Sequence, residues 1–346
     1  LLEDALSYPE KKLSELSVLS REEAKIIDHF NDTLADYPAQ KTVVELFEEQ
    51  VERTPNQIAI ICADKTLTYR QLNEKANQLA RKLRKLGVGR NDFVAVYTQR
   101  SIEMIIGIYA ILKAGGGYVP IGIDYPKERI RFILEDTAAK AILCAGDTIL
   151  VTQDIPVLNL NKSDCYEEEK DNLSHVNEPE DTVYCIFTSG TTGKPKGVIN
   201  CHTGLINRIW WMQQRYPISE EDAILQKTTY TFDVSVWEII WWGFVGAKVV
   251  LLPAEGEKSP KTICDTIEQT KVTVMHFVPS MLKIFEYYLT SETEDIEKLT
   301  SVKYVFSSGE ALQKEEVNTF YELLKGKRAK IANFYGPTEA SIDVTY

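Results

Sequence analysis

The run TSGTTGKPKG at residues 188–197 directly follows the apolar stretch YCIF and joins glycines, hydroxyls and cations in ten positions. Gly190 and Gly193 let the backbone turn tightly and aim N–H groups at phosphate oxygens. Thr188, Ser189, Thr191 and Thr192 add hydroxyl donors, and Lys194 and Lys196 add positive charge. The run reads as a loop that grips nucleotide phosphates, whereas a bare GTTGK would describe a surface turn equally well. It is not a P-loop. That motif needs GxxxxGK followed by Ser or Thr. Here two residues separate Gly190 from Gly193, and Pro195, which has no N–H to offer, follows Lys194.

Three other segments hold candidate groups. In FDVSVWEII a helix would place Asp233 and Trp237 on one face. An unpaired carboxylate in apolar, aromatic surroundings is costly and calls for a cation; the alternative is an Asp capping the helix. NFYGPTE, residues 333–339, reads by itself as a strand, a Gly-Pro turn and a helix start at Thr338. His276, in VTVMHF, reads alone as a core histidine. His202, just past the phosphate loop, either faces a substrate carboxylate or lies on the surface.

These residues need a scaffold. Thr68 and Gln71 form a capping box, Leu72, Ala76, Leu79, Leu83 and Leu86 share one helical face, and Gly87 ends it. A strand is expected at 93–97, a helix at 102–113, a helix opened by Pro126, and a buried strand at 141–144. Further strands are expected at 183–187, 223–226, 248–252, 272–277, 304–307 and 330–334. Alternation of apolar strands with helices predicts an α/β fold: two stacked αβ subdomains with largely parallel sheets. Ligands in such sheets bind beyond the carboxyl ends of the strands, where three of the segments above fall. The polar stretch 161–181 is the expected internal boundary. The resulting division is 1–35 (linker and leading helix), 36–165 (first subdomain) and 166–346 (second subdomain with the nucleotide loop).

With 39 basic and 51 acidic residues, the net charge of −12 argues against nucleic-acid or anionic-membrane partners. No window approaches the ~18 apolar residues of a membrane span. The six cysteines form no CxxC pair or zinc spacing and suit buried positions in a reducing, cytoplasmic protein. The start has no signal-peptide pattern and no Met, so excision from a longer chain is expected.

LTYRQL (67–72), LKAGGGYVPI (112–121), FDVSVWE (232–238) and NFYGPTE stand in order around the phosphate loop. Together they resemble the adenylate-forming enzymes and, within them, the adenylation domains of nonribosomal peptide synthetases, over nearly the whole chain. LSELSVLSREEAKIIDHFN resembles the linker that follows a condensation domain, implying such a domain upstream. Gly122 and Ile123 depart from the Asp and Pro usual in the family, and a local loop change is expected. The chain stops at Tyr346, seven residues past Glu339. The family's ribose-binding Asp, hinge and small C-terminal domain with the catalytic Lys are therefore expected to be missing from a fragment that binds better than it turns over.

The resemblance implies ATP-dependent formation of an aminoacyl adenylate for an antibiotic or siderophore pathway, with transfer to a phosphopantetheine thiol on a carrier protein. It implies that Thr188, Ser189, Gly190, Thr191, Thr192, Gly193, Lys194 and Lys196 hold the β- and γ-phosphates. Thr338 would meet the α-phosphate, Glu339 would hold Mg2+, and Tyr335 would stack on adenine beside Gly309, Asn333, Phe334 and Gly336. Thr188, Lys196, Thr338 and Glu339 would serve catalysis. Asp233 would bind the α-ammonium, and Val234, Trp237, His276, Phe306, Ser308, Phe334, Ile342 and Asp343 would line the pocket. That set resembles the family's serine-type pocket, and Phe334 where Leu is more usual would tighten it against threonine. An acyl- or aryl-acid CoA ligase and a binding-only module are the rival readings. Asp233 separates the first of them.

Overall fold

The computed structural model of the chain describes residues 1–146, 154–189 and 194–346. It has two compact units, Leu1–Tyr37 and Pro38–Tyr346. The first is more helical than the expected linker. It contains helices Leu2–Ser7 and Arg21–Asn31, the latter opened by a capping box between Ser20 and Glu23.

The second unit holds two sheets. The described strands are β1 (Ile58–Cys62), β2 (Lys65–Thr68), β3 (Phe93–Tyr97), β4 (Gly117–Pro120), β5 (Ala141–Cys144), β6 (Val157–Asn159) and β7 (Thr182–Thr188). They continue with β8 (Lys196–Cys201), β9 (Ala223–Gln226), β10 (Lys248–Leu251), β11 (Val274–Phe277), β12 (Tyr304–Ser307) and β13 (Lys330–Asn333). One sheet runs β6-β5-β3-β4-β7-β8 and the other β13-β12-β11-β9-β10-β1-β2. Each is parallel except for one antiparallel edge strand, β8 in the first and β2 in the second. The α/β class with largely parallel sheets is as expected. Strands β3, β5, β9 and β12 begin and end where the apolar runs placed them.

The sheets do not divide at 165/166. β7 and β8 join the first sheet, where Tyr118 pairs with Tyr184, while β1 joins the second, where Ile60 pairs with Val249. The polar stretch 161–181 is instead a surface strap held by side chains of helix Tyr69–Lys85. Asn77 donates to the Lys170 carbonyl, Gln78 to those of Tyr166 and Glu168, and Arg81 to those of Glu169 and Asp171. Composition marks a loop there correctly but does not say which sheet the next strand enters.

The sheets are tied by groups close to the candidate site. The Tyr230 hydroxyl donates to the Ile121 carbonyl at 2.6 Å and accepts from the Thr98 N–H. Arg100 reaches the carbonyls of Lys227 and Leu252. Between helices, Tyr69 donates to the carbonyls of Trp242 and Ala247, and its ring, Phe47, Tyr109 and Trp242 form one aromatic cluster. The glycines of LKAGGGYVPI serve packing. Gly115 caps helix Ile102–Ala114 at φ 112°, and a Cβ on Gly116 would lie 2.6 Å from the Asp92 carbonyl oxygen.

Candidate active site

In the larger sheet β9 lies between β10 and β11, so the winding reverses there and a crevice opens at the carboxyl ends. The residues that leave those ends form the candidate site: Thr228 after β9, His276 in β11, Phe306 in β12 with Ser308 beyond it, and Phe334 after β13. Parallel register sets His276 opposite Phe306 and Ser307 opposite Asn333.

The expected pocket residues are brought together and buried. The rings of Phe306 and Phe334 stack at 4.7 Å, and Trp237 meets Phe306 edge-on at 5.5 Å and His276 at 6.3 Å. Val234, Ile342 and Asp343 are also buried. Asp233 is 7% exposed. It precedes helix Ser235–Ile240, whose N-cap position is taken by Val234 with no side-chain cap. The Asp233 backbone carbonyl accepts from the Val236 N–H at 2.9 Å. Burial pushes Asp233 above the usual carboxylate range, a bond from the Thr338 hydroxyl opposes the shift, and the nearby Asp343 adds to it.

Asp343 is not equivalent to Asp233. Arg208, from helix His202–Arg215, pairs with it at 2.9 Å and lies over the Phe334 ring at 4.9 Å. Among the described residues no cation comes within ion-pair distance of Asp233. Of the two buried carboxylates only Asp343 has a guanidinium partner, and Asp233 is left without a positive charge among the described residues. The Trp237 indole N–H and two Arg208 nitrogens also have no hydrogen-bond partner among the described residues. Buried donors of this kind are normally met by water or a ligand.

The expected nucleotide residues form an exposed rim around this buried cluster. Tyr335 is 69% exposed; Ser189, Lys194, Lys196, Gly309, Asn333 and Glu339 are exposed, and Thr188, Gly336 and Thr338 half-buried. Gly190, Thr191, Thr192 and Gly193 lie outside the described residues. Thr188 pairs with Lys196 across β7 and β8, so both ends of the phosphate motif leave one sheet edge together. From β8, Asn200 donates to the Thr338 carbonyl at 3.0 Å. Thr338 is therefore the joint: its carbonyl is tied to the strand after the phosphate motif, and its hydroxyl lies close enough to Asp233 to favour the charged carboxylate.

The segment beyond β13 folds back on itself. Tyr335 donates to and accepts from Thr345 and Val344, and a Cβ on Gly336 would lie 2.5 Å from the Asp343 Cα. Ile342 sits at φ 82°, a strained conformation for a β-branched residue, inside a turn closed by the Asp343 N–H and the Ser341 carbonyl. Strain of this sort persists where surrounding contacts over-determine it, commonly at functional sites.

His202 proves to be neither surface nor a ligand to substrate. It is fully buried, its Nδ1 accepts from the Val43 N–H at 3.2 Å, and its Nε2 faces the Asn177 amide. Burial lowers its pKa to about 4. The unfolded chain takes up this proton near pH 6.5 and the folded chain only near 4. Stability is therefore complete above pH 6.5 and falls as pH drops towards 4, by about 3 kcal/mol from this group. Urea midpoints measured across that window should fall steeply, and His202→Gln should flatten the acid limb. Identical limbs would refute the assignment.

Nothing in the sequence singles out Arg208, Thr228 or Glu238. Glu238 closes the run FDVSVWE, but its spacing does not show that it turns inward.

The chain matches the family profile described as "AMP-binding enzyme" over residues 47–346. The chain belongs to the AMP-binding enzyme family. Among relatives of this AMP-binding chain, one of the mycosubtilin synthase proteins of Bacillus subtilis is 48% identical over 99% of the chain but only 13% of its own length. Zwittermicin A synthase ZmaJ of Bacillus cereus is 52% identical over 88% of the chain and 58% of its own length. The chain thus spans less than two thirds of either. A crystal structure of the nonribosomal peptide synthetase FmoA3 in an α-methyl-L-serine-AMP bound form superposes with TM-score 0.89 at 25% identity, covering 99% of this chain and 40% of that one. No described helix is long and apolar enough to cross a membrane.

Proposed function

We propose that this chain activates an amino acid as its adenylate at the expense of ATP, releasing pyrophosphate, and that the amino acid is L-serine. The observation that carries the reading is the buried Asp233, which has no cation within ion-pair distance among the described residues and has Thr338 beside it. An α-ammonium on Asp233 would bring the amino acid's carboxylate next to a nucleotide α-phosphate bound at Thr338. Catalysis would then rest on positioning and charge, since carboxylate attack on phosphorus needs no protein nucleophile. Lys196 and the hydroxyl of Thr188 would hold the terminal phosphates, with Ser189, Lys194 and residues 190–193 completing the grip. Tyr335 offers an open ring face for adenine beside Gly309, Asn333, Phe334 and Gly336.

Mg2+ favours one or two carboxylates plus phosphate oxygens and water over an all-protein cage. The single exposed carboxylate of Glu339 fits that demand, and the ion would neutralise charge on the departing pyrophosphate.

Serine is supported by the pocket's size and polarity. The bulky rings of Trp237, Phe306 and Phe334 pack against one another, which suits a short side chain, while His276 and Ser308 supply polar atoms. The α-methyl-L-serine adenylate bound by a structural neighbour agrees with this. The relatives' names support a place in nonribosomal peptide synthesis, with a carrier-domain phosphopantetheine thiol receiving the seryl group and a condensation domain upstream. Calorimetry of the chain with non-hydrolysable seryl, alanyl and threonyl adenylate analogues tests the substrate. A site built to bond a hydroxyl rejects the analogue lacking it by roughly 10⁴-fold in favourable cases. Tighter binding of the alanyl or threonyl analogue would rule serine out.

A further inference from the structure

His276 and Ser308 belong to the pocket, but what stands behind them belongs to no assigned site. The Thr228 hydroxyl donates to Glu238 Oε1 at 2.6 Å and lies 3.4 Å from His276 Nδ1. His276 Nε2 lies 3.0 Å from the Ser308 hydroxyl oxygen. Glu238 is fully buried, and its Oε2 accepts from the N–H groups of Lys227 and Thr228 and from the Gln226 amide. Both carboxylate oxygens are therefore acceptors.

Proton direction follows from this. Burial raises the Glu238 pKa to about 7, so above neutral pH, where the carboxylate is ionised, the one Thr228 hydroxyl proton is committed to Glu238 and Thr228 can only accept from His276. His276 must then carry its proton on Nδ1, leaving Nε2 bare. The Ser308 hydroxyl proton is in turn drawn to Nε2, and the lone pairs of Ser308 remain. With Nε2–H instead, a bare Nδ1 would face the lone pairs of Thr228. Burial also keeps the imidazole neutral, holding its pKa well below the usual value.

We propose that Thr228 and Glu238 are positioning residues that lock His276 in the Nδ1–H tautomer, so that the His276–Ser308 pair offers the pocket hydrogen-bond acceptors only. The chain's preference for a side chain that donates a hydrogen bond is then set two residues behind the pocket wall. This consequence rests on the serine reading above; the tautomer itself does not.

The experiment is nitrogen NMR of 15N-histidine-labelled chain in mildly alkaline buffer, with His276 assigned by loss of its signals in His276→Gln. It is paired with calorimetry of seryl and alanyl adenylate analogues. His202 provides an internal reference of the opposite tautomer, because its Nδ1 is an acceptor. Wild type should show a protonated Nδ1 and a bare Nε2 at His276. Thr228→Val should lose that signature and lower the seryl-to-alanyl affinity ratio by about tenfold, and Thr228→Ser should retain both. A wild-type Nε2–H tautomer, or an unchanged tautomer in Thr228→Val, overturns the proposal. If the tautomer responds as stated but wild type shows no seryl preference, the relay stands and the serine assignment falls.

Discussion

Replacing Asp233 by Ala is expected to weaken binding of amino-acid adenylate analogues strongly while leaving the fold intact. Asp233 is the one carboxylate of the buried pair that the protein leaves without a cation; Arg208 neutralises Asp343 at 2.9 Å. An incoming ammonium would complete the pair, and deleting one member of a desolvated, hydrogen-bonded charge pair costs about 2–5 kcal/mol. That is roughly 30- to 5,000-fold in Kd. Asp233→Asn keeps the shape and removes the charge, so it should lose nearly as much. The control is an adenylate analogue whose acyl group lacks the amine. It gains nothing from Asp233 and should bind the variants at least as well as wild type, because the charge is costly to bury without a partner. Titration of both analogue classes against both variants decides the matter. Equal loss for amine-bearing and amine-free analogues would sink the ammonium role and favour an acyl- or aryl-acid ligase.

Gly336→Ala should be the most damaging single methyl group in the site. Gly336 needs no positive φ; the constraint is steric. An added Cβ would lie 2.5 Å from the Asp343 Cα and 2.8 Å from both the Ile342 carbonyl oxygen and the Val344 nitrogen. All three are backbone atoms, so no side chain can swing aside, and the returning segment must move. Overpacking of this kind costs about 1–3 kcal/mol of stability. The functional cost is larger, because the segment carries Ile342 and Asp343 and is hydrogen-bonded to Tyr335. A displacement of about 1 Å at a reacting centre costs roughly 100-fold. Pyrophosphate exchange by a chain extended past Tyr346 should fall by that order, with nucleotide and amino-acid analogues both weakened and melting lowered. Normal exchange in a stably folded Gly336→Ala chain would show that the returning segment does not shape the site.

Much of the scaffold is legible in the residues. Strands β9 and β12 are short apolar runs bounded by polar residues, and burial on both faces leaves such runs few alternatives. The capping boxes at Thr68 and Thr42 define helix starts by local hydrogen bonds. Sheet membership is harder to read, because pairing partners lie far apart in sequence. β1 pairs with β10, and nothing local distinguishes that from pairing with β3. Of the six cysteines expected to be buried, four are, while Cys62 and Cys201 are half-buried.

The candidate site divides along the same line. By themselves the residues determined its chemical alphabet: a run of Gly, Thr, Ser and Lys after an apolar strand, a lone Asp among aromatics, and a Gly-Pro-Thr-Glu turn. Those are local patterns whose chemistry follows from residue type and spacing. The tertiary structure alone decided which groups are charged, paired or neutral. Only folding brings Arg208 to Asp343, hides His202 beneath Val43, and lines Glu238 and Thr228 up behind His276. The physical reason is that burial and hydrogen-bond partners set ionisation and proton direction, and both depend on contacts between strands and helices distant in the chain.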